Sequence, residues 1–236
     1  KSIATGSGDG RVTLWNTRDG SSITGVNRHK DAVYCLGFSP DGQRLASVGG
    51  STDGGDTVCR IWRAIDLQLV TELAGHSRQV YGVVFSPDGQ TVATSSSDQT
   101  IRLWNVGSGQ NSVLKGHTSD VYRCDFSPDG KLLASTSQDG TVRIWTVPAG
   151  EGTVVFDGTK KNPVYAVAFS SDGLRLAAVG DDRRLRIWQT NGLRLSSDQR
   201  VAPCALYAVA FLPEQATAVV AGEDGMIYTV PINLSP

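Results

Sequence analysis

Methionine occurs once in 236 residues and histidine three times, so neither a sulfur-rich surface nor a histidine cluster is available. No apolar run approaches the ~20 residues that a membrane-spanning helix needs, and no signal-like or amphipathic segment opens the sequence. Lys plus Arg number 22 against 23 Asp plus Glu, a formal net charge of -1, which offers no general attraction to nucleic acid or an anionic membrane. The four cysteines, Cys35, Cys59, Cys124 and Cys204, fall singly with gaps of 24, 65 and 80 residues. That matches neither a zinc spacing nor a redox pair. Cys35 and Cys124 lie in apolar runs where a thiol acts as a small hydrophobe, and reduced thiols suit a cytoplasmic or nuclear protein. A Gly-x-Ser-x-Gly elbow and a calcium-type acidic loop are both missing. We therefore expect no enzyme, no metal and no cofactor.

What the sequence does have is punctuation and period. There are 27 Gly and 9 Pro, which suits many short strands joined by tight turns. Trp62, Trp104, Trp145 and Trp188 are separated by 42, 41 and 43 residues, and Trp15 lies 47 before Trp62. An insertion at Gly50-Ser-Thr-Asp-Gly-Gly55 accounts for the excess. Each repeat opens with an alternating run ending in Phe: VYCLGFS at 33–39, VYGVVFS at 80–86, VYRCDFS at 121–127, VYAVAFS at 164–170; LYAVAFL at 206–212 is a variant. A Ser-Pro-Asp-Gly turn follows at 39–42, 86–89 and 127–130, with Ser170-Ser-Asp-Gly173 as a relaxed copy. Pro presets φ and Gly closes the turn, so a hairpin is expected. A second strand (RLAS, TVAT, LLAS, RLAA), an Asp-containing turn, a third strand ending in IW or LW and a looser fourth strand complete the order. Four short strands every ~42 residues cannot bury both faces alone, but radial stacking covers them and leaves only short edges.

With Gly-His at 75–76 and 116–117 and the Trp endings, the sequence resembles the WD-repeat family. The resemblance covers the whole chain and implies an all-β fold, a β-propeller of four-stranded blades. Six are represented, in repeats at approximately 1-26, 27-68, 69-110, 111-151, 152-195 and 196-236. The pattern accounts for 22 strands, fewer than a closed ring of six or seven four-stranded blades requires. We expect one domain that is part of a seven-bladed ring, in preference to a closed six, incomplete at both ends. The resemblance also implies a hydrogen-bonded set of His, Ser or Thr, Asp and Trp inside each blade. His76, Thr94, Asp98 and Trp104 supply one; His117, Ser135, Asp139 and Trp145 supply another. The repeat with the insertion has His29, Ser47, Asp56 and Trp62. The fifth keeps Asp182 and Trp188 but has Ala178 for the hydroxyl and Lys160 near the His position; the last keeps only Asp224, with Val230 for Trp.

Other motifs have ordinary explanations. Gly6-Ser-Gly-Asp-Gly10 mimics a phosphate loop, but a strand and not a helix follows it. Trp15-Asn-Thr-Arg18 resembles the Trp-Asp-x-Arg ending by which some WD proteins dock onto a ubiquitin-ligase adaptor, with Asn16 in place of Asp. Asn233-Leu-Ser235 fits a glycosylation sequon by chance. Arg175, Arg183, Arg184, Arg186 and Arg194, preceded by Lys160 and Lys161, make the fifth repeat basic. That raises an alternative function, recognition of phosphate or RNA; a sensor domain in a larger signalling or defence protein is a further one. The Phe-Arg-Arg-Gly motif of phosphoinositide-binding propellers is missing.

Most informative are Tyr34, Tyr81, Tyr122, Tyr165 and Tyr207, each at the second position of a first strand. By the resemblance, that strand begins at the narrower rim of the channel. Two residues earlier stand Ala32, Gln79, Asp120, Pro163 and Ala205; just before the turn Asp stand Gly8, Gly55, Ser97, Gln138, Asp181 and Glu223. In WD proteins these positions commonly contact partners. We expect a protein-binding scaffold in a multi-protein complex, or within a longer parent chain, with neither membrane nor nucleic acid as partner. Its site comprises the five tyrosines with Gln79, Asp120, Gln138, Asp181 and Arg183. The competing reading packs the tyrosines between blades as filler.

Overall fold

The turns set the strand lengths. In the computed structural model, Gly42, Gly89, Gly130 and Gly173 take φ of +68°, +68°, +71° and +71°, a region costly for any residue with a Cβ. The leading Ser contributes more than backbone. Its Oγ donates to the turn Asp at 2.5–2.6 Å in all four copies. The same Oγ accepts the N–H that opens the next strand, from Arg44, Thr91, Leu132 and Arg175, each at 2.9 Å. The side-chain pair thus staples both ends of the hairpin loop.

The structure describes residues 2–51, 55–147, 149–158, 162–213 and 216–232. Lys160, Lys161, the sequon at 233–235 and part of the 50–55 insertion lie outside them. Among the described residues there is no α-helix, only one 3₁₀ turn at Asn191–Leu193. The strands form six antiparallel meanders, the blades of a β-propeller. Blade 1 is β1 (Ser2–Gly6), β2 (Arg11–Asn16) and β3 (Ser22–Asn27). Blade 2 is β4 (Val33–Phe38), β5 (Arg44–Gly49), β6 (Cys59–Arg63) and β7 (Leu69–Leu73). Blade 3 is β8 (Val80–Phe85), β9 (Thr91–Ser96), β10 (Thr100–Asn105) and β11 (Asn111–Lys115). Blade 4 is β12 (Val121–Phe126), β13 (Leu132–Ser137), β14 (Thr141–Thr146) and β15 (Gly152–Asp157). Blade 5 is β16 (Val164–Phe169), β17 (Arg175–Gly180), β18 (Arg184–Gln189) and β19 (Arg194–Arg200); blade 6 is β20 (Leu206–Phe211), β21 (Thr217–Gly222) and β22 (Ile227–Pro231). Sequence repeats and sheets are one strand out of phase: Leu69–Leu73 opens the repeat 69-110 yet pairs with β6 and closes blade 2.

Residues 1–115 and 116–236 make two compact units, of blades 1–3 and blades 4–6. Within each unit the second strands are buried along nearly their whole length. They carry Ala, Ser, Thr and Val because a strand covered on both faces leaves room only for short side chains. The larger payload sits on third strands, where Trp62, Trp104, Trp145 and Trp188 are each 1% exposed. In the first unit Ala46, Val48 and Ile61 of blade 2 pack against Val80, Phe85, Val92 and Trp104 of blade 3. In the second, Ala134, Val142 and Ile144 meet Val164, Phe169, Leu176 and Trp188. Each such aliphatic side chain contributes roughly 1.5–3 kcal/mol of burial, so neighbouring blades hold each other. Outer strands such as β11 and β15 are mostly exposed.

Candidate functional site

The first strand of every blade from 2 to 6 carries a β-bulge, and the bulged residue is the tyrosine. Val80 pairs with Ser96 and Gly82 with Ser95, so Tyr81 falls in the register shift between them. The same shift falls at Tyr34, Tyr122, Tyr165 and Tyr207. A bulge frees one residue from the ladder and re-aims its side chain. Here it turns five rings out of the strand register. In the first unit Tyr34 and Tyr81 have ring centroids 5.7 Å apart. In the second, Tyr122 and Tyr165 are 5.4 Å apart, and Tyr165 and Tyr207 are 5.1 Å apart, all tilted. Tyr34 and Tyr207 are 40% and 49% exposed, and the other three are half-buried. Both readings of the tyrosines therefore describe part of the arrangement: the rings pair across adjacent blades, and none of the five is fully buried.

Backbone hydrogen bonds bring the flanking rim positions together. The N–H groups of Ser97, Gln138, Asp181 and Glu223 donate to the carbonyls of Gln79, Asp120, Pro163 and Ala205, each at 2.9 Å. Gln138 and Arg183 are exposed, and Asp120 and Asp181 are half-buried. Gln79 differs from its expected place on the open surface. It is 8% exposed, and its Oε1 accepts from the Tyr81 hydroxyl at 3.1 Å. It holds Tyr81 and has little to offer a partner. Arg183 has φ of +68°, so this rim turn stores some strain.

Beneath the rim lie the blade networks. In blade 3, His76 Nε2 is 2.7 Å from Thr94 Oγ1, His76 Nδ1 is 2.7 Å from Asp98 Oδ2, and Trp104 Nε1 donates to Thr94 Oγ1 at 2.8 Å. One neutral tautomer satisfies all three: Nδ1–H donates to the carboxylate, and the threonine hydroxyl donates to Nε2. Blade 4 repeats this with His117, Ser135, Asp139 and Trp145 at 2.8–2.9 Å. Blade 2 keeps it despite the insertion: His29 and Trp62 meet Ser47 Oγ at 2.6 and 2.7 Å, and His29 meets Asp56 at 2.9 Å. Burial opposes ionisation of Asp56, Asp98 and Asp139, but hydrogen bonds from their histidines, with Arg60 or threonine partners, hold all three well below the usual carboxylate range. The three histidines thus sit in separate blades at equivalent loops.

An arginine two residues before the tryptophan was not singled out from the sequence, although the Arg-x-Trp spacing recurs at Arg60, Arg102, Arg143 and Arg186. The guanidinium of Arg102 lies 5.6 Å from the Trp104 ring centre, and that of Arg143 lies 6.0 Å from Trp145. In blade 5, where histidine and hydroxyl are replaced, Arg186 pairs with Asp182 and stacks 4.2 Å from Phe156, which packs on Trp188 at 6.3 Å. The fifth repeat is therefore less of a basic face than its composition suggests. Arg184 is paired with Asp198 at 2.6 Å, Arg175 with Asp172 at 3.9 Å, and Arg186 is 7% exposed. The glycine-rich stretch at 6–10 is the β1–β2 turn, where Asp9 accepts the Arg11 N–H at 3.1 Å. In Trp15-Asn-Thr-Arg18, Asn16 Oδ1 caps the N–H of Arg18 at 3.0 Å.

Comparison with known proteins agrees with this architecture. A 43-residue stretch is 46% identical to the intraflagellar transport protein 122 homolog of Xenopus tropicalis and covers 18% of this chain and 3% of that protein. The Danio rerio homolog matches at 46% over 43 residues, 4% of its own length. The matched stretch is thus a small part of either relative. Over residues 1–230 the chain matches the family model described as the IFT122 first beta-propeller. The chain belongs to that family, the first β-propeller of IFT122.

Proposed function

We propose that this propeller is a non-catalytic scaffold that holds a partner protein in an intracellular assembly concerned with intraflagellar transport, as the names of its relatives suggest. The partner segment lies across the bulge-projected tyrosines. One observation carries the reading: the same bulge, at the same residue type, recurs in all five described first strands. A bulge takes the ring out of the strand's regular alternation and re-aims it, which suits a ring that is presented to a partner. Tyrosine suits the role, with large area, few rotors and a polar tip. The pairing of Arg175, Arg184 and Arg186 with carboxylates speaks against a phosphate or RNA face on blade 5. A cytoplasmic or nuclear location is part of the proposal.

The experiment places a photo-crosslinking amino acid at position 122, identifies the captured partner, and titrates it against wild type and Tyr122→Ala. Truncation is expected to weaken binding by about 1–3 kcal/mol with little change in unfolding midpoint. A large fall in midpoint, with unchanged affinity in the folded fraction, would return Tyr122 to a packing role.

A further inference from the structure

The positions flanking the tyrosines differ in charge between the two compact units. In residues 1–115 they are Gly8, Ala32, Gly55, Gln79 and Ser97, all uncharged. In residues 116–236 they include Asp120, Asp181 and Glu223, with Gln138, Pro163 and Ala205 completing the set. Among the described residues, no cation stands in ion-pair range of Asp181 or Glu223, although Arg183 is close to Asp181 in sequence and exposed. Lys160 and Lys161 lie outside the described residues. The Tyr165 hydroxyl is pushed above its ordinary value by burial, then by the charges of Asp181, neighbouring Tyr207 and Glu223. The Asp181 and Glu223 N–H groups bond the carbonyls of Pro163 and Ala205, two residues before Tyr165 and Tyr207, so both acids flank the ladder Tyr122–Tyr165–Tyr207, whose spacings are 5.4 and 5.1 Å.

An electron-rich aromatic face with carboxylates at its border is complementary to a cation. A guanidinium is the best match, because it stacks flat on a ring while its edge N–H groups donate to carboxylates. We infer that the ladder Tyr122–Tyr165–Tyr207, bordered by Asp181 and Glu223, receives an arginine or lysine side chain from an extended partner segment. The inference rests on the rim reading and adds the sign of the partner's charge. None of the matching positions beside the Tyr34–Tyr81 pair of the first unit carries a charge, although Asp31 adjoins them and accepts the Asp56 N–H at 2.7 Å.

The test uses the full chain and three fluorescent nine-residue peptides, Gly-Ser backbones carrying Arg, Gln or Glu at alternate positions, read by anisotropy. The Arg peptide is expected to bind best. Tyr165→Leu, and Asp181→Asn with Glu223→Gln together, should each weaken it by about tenfold, while Tyr165→Phe, which keeps the aromatic face, stays within about threefold. Glu151→Gln, an exposed acid at the opposite end of blade 4, should leave binding unchanged. Thermal melts accompany each variant; if Tyr165→Leu does not fold, Tyr165→Phe and the carboxylate pair carry the test. Equal binding of the Gln peptide, with no effect of the carboxylate pair, would overturn the charge preference and leave the rim reading standing. Equal losses from Glu151→Gln and the carboxylate pair would reduce it to diffuse attraction, also overturning it. If no peptide binds in a Tyr165-dependent way, both readings fall.

Discussion

Two aspartates at single positions illustrate opposite uses of a buried carboxyl group. Asp98 is surrounded by donors: His76 at 2.7 Å, the Thr100 hydroxyl at 2.6 Å and two backbone N–H groups. Its folded pKa lies below the unfolded value, so its stabilisation is present above about pH 4 and lost as pH falls further. Asp98→Ala should cost about 1.5–3 kcal/mol in urea titrations, because it removes charge-assisted bonds and strands His76. Asp224→Ala should cost little, since Asp224 is exposed, with the Met226 N–H, the Tyr228 hydroxyl and Cys204 as its donors; equal losses would show that the network assignment is mistaken. Asp125 is the reverse case. It stands on β12 where the other first strands have Gly37, Val84, Ala168 and Ala210. Its carboxylate accepts the Phe169 N–H of blade 5 at 2.8 Å, yet burial pushes it up to about 6. A raised folded pKa means that the group's contribution is full below about pH 4 and is lost as pH rises through 6. Asp125→Asn keeps an acceptor without the charge. It should raise stability by about 1–2 kcal/mol at pH 7.5, and the gain should vanish near pH 4 in parallel melts.

At the scale of the blade, one design is filled in three ways. Blades 2, 3 and 4 join His, hydroxyl, Asp and Trp. Blade 5 reaches the same end with Arg186, which pairs with Asp182 while its flat face covers Phe156. Blade 6 uses Tyr228 against Asp224. In blades 2 to 5 the turn Asp is given a donor from the third strand or from the loop beside it, because an unpaired acidic group there loses solvation without return, whereas Asp224 of blade 6 is exposed. Arg186→Met should therefore destabilise by about 1–3 kcal/mol, and Asp182→Asn in the same chain should recover part of the loss. A double-mutant cycle by chemical denaturation measures this. If Arg186→Met leaves stability unchanged but abolishes binding to an anionic probe, the arginine faces a ligand and not the blade.

For the molecule as a whole, near-neutral charge and a localised acidic rim set the expected ionic-strength response. Partner binding that uses two or three charges should weaken only gently with salt. A phosphate-backbone ligand engaging 6–10 cations would lose roughly 10³–10⁵ in affinity between 50 and 200 mM salt. Titrating the captured partner across that range distinguishes the two, and a steep slope would revive the basic-face reading.

The period and the strand order were legible in the sequence because each follows from local rules, and the resemblance to WD repeats implied the blade networks. Turn residues recur at fixed offsets, apolar residues alternate, and Asp stands six residues before Trp in every network. The tyrosines too were visible, at a fixed position of each repeat. That position is a bulge only because the pairing of β4, β8, β12, β16 and β20 with their neighbours shifts there, and register belongs to two strands at once. Composition likewise showed a basic fifth repeat, but a list of arginines does not say which carboxylates lie beside them. Only packing set Arg186 against Asp182 and Phe156, buried Gln79 beside Tyr81, and brought Asp181 and Glu223 to the loops that precede Tyr165 and Tyr207. These outcomes depend on contacts between strands distant in sequence, so the tertiary structure decided them.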